Sequence, residues 1–366
     1  MFPEIASSGQ LITFAAHFIQ SGGHDQIYHQ CLQKAFAELG GQAKTYIPST
    51  CPLNLNSSQW VKHFRMPMNS FQTFYYRFGD FLQIFKQTSK STRTIHFLES
   101  FTFIEFLAFV LAMLAGTSPH QHIWLLFRDA YTKSSLLKKT AYLSVFYLLR
   151  FSQKKRLRLF SDSAPAAREL ATFLKYPVSV LPIPHTECPS ISRPLSQIAI
   201  NLWFPGAPRQ EKGTKHITTI SNRLQSTNLD LHLWTCHFSD LKAGSKIHFV
   251  SDNLTRQEYL SHFAKMDIIL LPYDPQKYAY RTSGIFVEAI IAGKMPVAAA
   301  NSWLASELTK HNLNELIVNF ESCDIVEQLH RLYSNPIIRE KLSKMQKAYM
   351  AFHNQEKFTA ALGSHL

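Results

Sequence analysis

The chain has 366 residues, more than one ordinary core holds and the right length for two domains. With 46% hydrophobic and 17% charged residues it is not a disordered chain, and its formal net charge of +13 calls for an anionic partner: nucleic acid, acidic lipid or a phosphorylated ligand. Five scattered cysteines, Cys31, Cys51, Cys188, Cys236 and Cys323, show no CxxC spacing and read as reduced thiols, which excludes a disulfide framework or a cysteine zinc site.

In chain order, MFPEIASSGQLITF lacks the basic n-region of a signal peptide, so a cytoplasmic protein is expected. LITFAAHFI (Leu11–Ile19) reads as a buried strand, SGGHD as a two-glycine turn, and QIYHQCLQKAFAELGG as a helix closed by Gly40 and Gly41. AKTYIP and TIHFLES follow as strands. The apolar run FIEFLAFVLAMLAG from Phe103 is short for a membrane span, contains Glu105, and reads as a core helix. HIWLLFRDA and RLRLFSDSA are strands, with SDSA capping the helix APAARELATFLKY; VSVLPIPH is a short strand closed by prolines. ECPSISRPLS has a linker's composition. The pattern then restarts: strand QIAINLWFPG, helix GTKHITTISNRLQS, strands LDLHLWTCHF and KIHFVSD, helix TRQEYLSHFAKM, strand DIILLPYD, helix GIFVEAIIAG and strand MPVAAA, with C-terminal helices from near Cys323. Alternating strands and helices predict parallel sheets with crossover helices, hence two Rossmann-like α/β domains facing a cleft. The expected boundaries are 1–186, a linker 187–196, a second domain 197–345, and a C-terminal helix 346–366 packing back on the first domain.

In such sheets ligands bind where strands end and helices begin. The stretch YRTSGIFVEAIIAG follows a strand ending at Asp274 and opens a helix near Ser283. Free amides at that helix start, hydroxyls on Thr282 and Ser283, and the small Gly284 suit a phosphate. Glu288, one turn on, is placed to accept from ribose hydroxyls. The alternative is that Thr282 and Ser283 only cap and Glu288 is a solvated helix residue.

The segment DIILLPYD…YRTSGIFVEAIIAGKMPVAAANSWLASEL resembles the donor-binding segment of GT-B glycosyltransferases, in particular the retaining family 4 group. FPGAPRQEKG (Phe204–Gly213) resembles that family's phosphate-gripping segment, and SGGHDQIYHQCLQKAFAELGGQAKTYIP its N-terminal Gly-Gly loop and first helix. The resemblance implies a nucleotide-diphosphate sugar as donor, retention of configuration, and transfer of the acceptor's proton to the departing phosphate. It assigns the diphosphate to Arg209 and Lys212, with Gly206, Thr282, Ser283, Gly284 and Tyr280 around the donor. Arg128 and Asp129 stand where the family has a His-Asp pair. Gly22, Gly23, His24, Asp25 and Glu99 would face the acceptor, a glycan or a lipid-linked one; capping or core roles are open for His24, Asp25 and Glu99, as for His17.

This sequence departs from the family in three places. Tyr280 replaces the first acid of E-x7-E, Ala207 replaces the arginine of R-x4-K with Arg209 two positions on, and FRDA replaces the segment ending in His-Asp. A GT-B-shaped protein that binds a nucleotide or glycan without transferring it is therefore the second expectation. No DxD stands at a strand end, so no catalytic metal and no cofactor beyond the nucleotide sugar is expected. His120, His122 and His237 lack metal-ligand spacing.

Lys138–Phe160 interleaves Lys138, Lys139, Arg150, Lys154, Lys155, Arg156 and Arg158 with aromatics. It reads either as a basic amphipathic helix for an anionic membrane surface, on the inner face of a membrane, or as a core helix with solvated ends. The glycine turn offers no base-reading element, so nucleic acid is not the favoured partner.

Overall fold

The computed structural model describes residues 9–17, 24–51, 58–88, 94–116, 121–128, 135–153, 156–184 and 199–366. The chain divides into two compact units, Met1–His185 with Gln355–Leu366, and Thr186–Asn354.

Unit 1 contains β1 (Gln10–Phe14), α1 (His24–Glu38), β2 (Gln42–Pro48), β3 (Trp60–Phe64), α2 (Ser70–Thr88), β4 (Thr94–Glu99), α3 (Phe103–Gly116), β5 (Gln121–Phe127), α4 (Leu136–Ser152), β6 (Leu157–Ser161), α5 (Ala164–Leu174) and β7 (Val178–Val180). The strands form one sheet in the order β3-β2-β1-β4-β5-β6-β7, all pairs parallel. Its central strands are apolar on both faces because helices cover both. On one face Phe14, Phe64, Phe81, Phe85 and Phe109 pack mostly edge to face. On the other, Leu32, Phe36, Phe97, Trp124 and Phe160 form the core.

Unit 2 contains β8 (Ile200–Phe204), a 3-10 turn (Gln210–Lys212), α6 (Thr214–Ser226), β9 (Leu231–Thr235), β10 (Ile247–Phe249), α7 (Arg256–Lys265), β11 (Ile268–Leu271), α8 (Gly284–Ile291), β12 (Met295–Ala299), α9 (Trp303–Lys310), a second 3-10 turn (Asn314–Leu316), β13 (Ile317–Val318), α10 (Ile325–Ser334) and α11 (Pro336–Phe352). Its parallel sheet runs β10-β9-β8-β11-β12-β13. α12 (Gln355–Gly363) then returns to unit 1, where Phe358 and Leu362 enter the core and Gln355 Nε2 donates to the Cys31 carbonyl at 3.0 Å.

Several local expectations change. β1 stops at Phe14 rather than Ile19. β3, α2, α9 and β13 carry no sequence expectation; α2 is rich in aromatics whose spacing does not stand out from its surroundings. The predicted boundary at 345/346 falls inside α11, because that helix packs on α8 of unit 2 and the chain changes unit only at Gln355. The linker 187–196 lies outside the described residues. Ser163 caps α5, accepting from Ala166 N at 3.1 Å, as SDSA suggested.

Candidate active site

In both sheets the strand order reverses once, between β1 and β4 and between β8 and β11. Chain leaving the two central strands diverges there and opens a crevice at their carboxyl ends.

At the unit 2 reversal, the chain after β8 turns at Gly206 (φ 78°) and reaches Gly213 (φ 86°). A Cβ on Gly213 would fall 2.1 Å from the Pro272 carbonyl oxygen, so glycine alone lets the loops after β8 and β11 touch. Asp274 N donates to the Glu211 carbonyl at 2.9 Å and ties the same loops. Between them Lys212 is buried, with Nζ lying 3.1 Å from where a Cβ of Gly206 would stand. Among the described residues the Lys212 ammonium has no ion-pair partner. Burial first, then Arg209, lowers its pKa to about 8, and Arg281 pushes the same way. A buried cation held beside two further cations is poised for an anion.

Arg209 is half-exposed and lies 3.5 Å from Glu211; Arg281 is exposed over the Tyr278 ring at 5.3 Å. Tyr273 is buried against Tyr278 and hydrogen-bonded to Ser283, its pKa raised chiefly by burial. Ser283 caps α8, accepting from Phe286 N at 3.3 Å; Gly284 is the first helical residue, with Tyr280 and Thr282 half-buried before it. The structure thus gathers Gly206, Arg209, Lys212, Ser283 and Gly284 onto two loops joined at Gly213–Pro272.

Glu288, expected to accept from ribose hydroxyls, already has two donors in the structure. It is fully buried, and its carboxylate faces α7: Oε1 accepts from Arg256 Nη1 at 2.8 Å and Oε2 from Tyr259 Oη at 2.7 Å. The side chain one turn into α8 points between helices rather than over the loop, so it anchors Arg256 at the start of α7. Thr255 and Glu258 begin that helix with a capping box.

At the unit 1 reversal stands Arg128, which the resemblance put in the place of the family's His-Asp pair. Its guanidinium pairs with Glu99 at 2.6 Å and Asp162 at 3.4 Å and covers the Tyr28 ring at 4.7 Å. Glu99, for which an acceptor-facing and a core role were both open, is buried, and His29 Nε2 meets its other oxygen at 2.8 Å. Burial alone would raise the pKa of Glu99, but Arg128 and then His29 outweigh it and bring it to about 2. The reason is geometric: β4, β5 and β6 end side by side, so charges at their carboxyl ends satisfy one another. Gly22, Gly23 and Asp129 lie outside the described residues; His24 and Asp25 open α1, with side chains outside them as well.

The basic segment Lys138–Phe160 spans a helix and the start of a strand. Lys138, Lys139 and Arg150 lie on α4, but Arg156 precedes β6 and Arg158 is within it, because the strand pairs with β5; Lys154 and Lys155 lie outside the described residues. Arg150 is drawn over Tyr176 at 5.4 Å. Leu136, Leu137 and Phe151 are exposed.

Sequence reasoning passed over Arg281 and Arg256. Arg281 immediately precedes the hydroxyl turn, and that adjacency was a usable signal; Arg256 is 32 positions from Glu288 and gave none. Among the described residues no three His, Cys, Asp or Glu side chains gather as metal ligands, Cys31, Cys51, Cys236 and Cys323 form no disulfide, and no helix is long and apolar enough to cross a membrane.

Two parallel sheets of Rossmann type, each with a crevice at its strand-order reversal, define the fold of the GT-B glycosyltransferases. Among solved structures the chain is similar to sucrose-phosphate synthase from Thermosynechococcus elongatus, with 14% identity and a TM-score of 0.70, covering 97% of this chain and 98% of that one. It is also similar to the E. coli trehalose-6-phosphate protein bound with UDP-2-fluoro glucose (11%, 0.66, 97% and 98%). A third is a trehalose-6-phosphate synthase analysed for glycosyl transfer with retention through bisubstrate glycomimetics (10%, 0.65, 97% and 98%). No family model and no curated protein matches the chain.

Proposed function

We propose that this protein is a glycosyltransferase that moves a sugar from a nucleotide-diphosphate sugar to a glycan or lipid-linked acceptor with retention of configuration. The observation that carries the reading is Lys212, a buried ammonium without an ion-pair partner among the described residues, set against the Gly206 turn with Arg209 and Arg281 beside it. Leaving-group charge on a diphosphate grows as the sugar bond breaks, and fixed cations with the amides opening α8 stabilise it. Solved structures of this fold with a UDP-sugar analogue, and one described for retention, support the same reading. The cations take the place of a divalent ion, so transfer is expected to proceed in EDTA.

A second reading, nucleotide binding without transfer, draws on the closed ion pairs of Arg128 and Glu288. One experiment separates them: incubation with UDP-, GDP- and ADP-sugars and a panel of free sugars and sugar phosphates, with detection of released nucleotide. Acceptor-dependent release supports transfer. Tight nucleotide binding without release supports the second reading, and neither binding nor release rejects both.

We further propose a place on the cytoplasmic face of a membrane, through the exposed Leu136, Leu137 and Phe151 of α4 with Lys138 and Lys139. Near an anionic surface each lysine is worth about 1 kcal/mol. Co-sedimentation at low salt should be stronger with phosphatidylserine vesicles than with neutral ones, and Lys138→Glu with Lys139→Glu should abolish the difference. Equal recovery on both vesicles for the wild type counts against the surface.

A further inference from the structure

The edge of the unit 2 sheet opposite the Lys212 crevice carries a second pair of cations. Asp267 and Lys294 directly precede β11 and β12, so both stand at the amino edge of the sheet, whereas Gly206, Pro272 and Ser283 lie at its carboxyl edge. Asp267 and Lys294 line a cavity of about 210 Å³ to which α10 and α11 contribute Tyr333, Arg339 and Ser343. That volume lies below the range that holds a drug-sized ligand and suits a small molecule or ion. Gln346 Nε2 donates to the Ile291 carbonyl at 2.8 Å and holds α11 against the end of α8, so the fold itself sets the walls.

Lys294 is buried, and its Nζ donates to the Ala264 carbonyl at 2.9 Å, in the last turn of α7. Arg339, in the first turn of α11, donates through Nε at 3.0 Å and Nη2 at 2.6 Å to the Tyr333 carbonyl, in the last turn of α10. Its guanidinium covers the Tyr333 ring at 4.6 Å. Each cation thus satisfies a helix C-terminus, where carbonyls lack intrahelical donors. That contact engages one side of the guanidinium. Arg339 Nη1 has no partner among the described residues, and neither has the Ser343 hydroxyl, one turn further along the same face of α11. Asp267 is the carboxylate of the cavity, and both its oxygens already accept: Oδ1 from Tyr333 Oη at 3.1 Å and Oδ2 from Asn201 N at 2.8 Å. Two cations against one carboxylate leave the cavity net positive, with donors to spare and no acceptor of its own to meet them.

We propose that this cavity is a second anion site of unit 2, which takes a phosphate group, free or carried on a small molecule. Arg339 Nη1 and the Ser343 hydroxyl donate to the phosphate oxygens, and Lys294 adds its charge. The site lies within unit 2, at the sheet edge away from Gly206 and Gly284, and its occupancy is independent of the glycosyltransferase reading. An anion there joins α11 to the ends of α7 and α10, so binding also stabilises unit 2.

Calorimetric titration with inorganic phosphate and with glycerol 3-phosphate tests this, on the wild type and on Lys212→Ala, in which the opposite crevice has lost its buried cation. A site with the same Kd in both proteins is expected, at about 1 mM or tighter for the better probe. Tighter binding of glycerol 3-phosphate assigns the site to a phosphorylated molecule, and tighter binding of inorganic phosphate to the free ion. Arg339→Gln is expected to weaken binding by about 10- to 100-fold, the worth of one charge-assisted contact. Ser343→Asp, at an exposed position, should weaken it at least as much by setting a carboxylate against the phosphate, and it leaves the Tyr333 contacts of Arg339 in place should their loss unfold Arg339→Gln. Binding to Lys212→Ala of neither probe at about 10 mM, or affinity unchanged within twofold in folded Ser343→Asp, overturns the inference and leaves the reading of the Lys212 crevice untouched.

Discussion

Lys212→Ala is expected to lower kcat/KM for sugar transfer by about 10²- to 10³-fold, some 3–4 kcal/mol of transition-state stabilisation, with the fold intact. The side chain is buried beside Gly206 with no ion-pair partner among the described residues, so its removal relieves a desolvated charge while taking a cation from the proposed anion site. The same residue sets a pH dependence. In the free protein its pKa is held near 8, first by burial and then by Arg209, and a bound diphosphate raises it. Nucleoside diphosphate affinity should therefore be level below pH 8 and weaken as pH rises above it, by up to about tenfold per pH unit. Lys212→Gln should bind weakly at every pH without that slope. Calorimetric titration between pH 6 and 10 reads both effects, and unchanged turnover by folded Lys212→Ala would remove Lys212 from the site.

Glu288→Ala is expected to act on stability rather than on the ligand. The substitution takes away the buried carboxylate to which the Arg256 guanidinium and the Tyr259 hydroxyl both donate. Breaking a buried pair from one side costs about 3–5 kcal/mol; the lower end applies here because Arg256 is 26% exposed and retains some water. Denaturant melts should show the loss, while nucleoside diphosphate affinity of the folded fraction changes little. An unaltered melt with weakened nucleotide affinity would return Glu288 to the ribose.

The alternation of apolar runs with helical spacing was enough to establish two parallel α/β sheets, because that pattern is set by neighbours within one element. The glycine turns were legible for the same reason: a short loop between strand end and helix start needs residues that accept positive φ, and Gly206 and Gly213 adopt it. Arg209 and Lys212 were named through the resemblance of FPGAPRQEKG to a phosphate-gripping segment, and the Ser283–Gly284 turn from its hydroxyl and glycine after a strand end; their role toward a diphosphate remains a proposal. Which charges remain open to a ligand was decided only by tertiary structure. Glu288 meets Arg256 across 32 positions, Arg128 meets Glu99 across 29, and His17 meets Glu105 across 88. Those pairings follow from the order of strands in the sheets and from helix packing, which bring together residues that no local periodicity connects. A carboxylate that looks free in the sequence is thereby neutralised in the fold, while the ammonium of Lys212 is buried beside Gly206 with no such partner among the described residues.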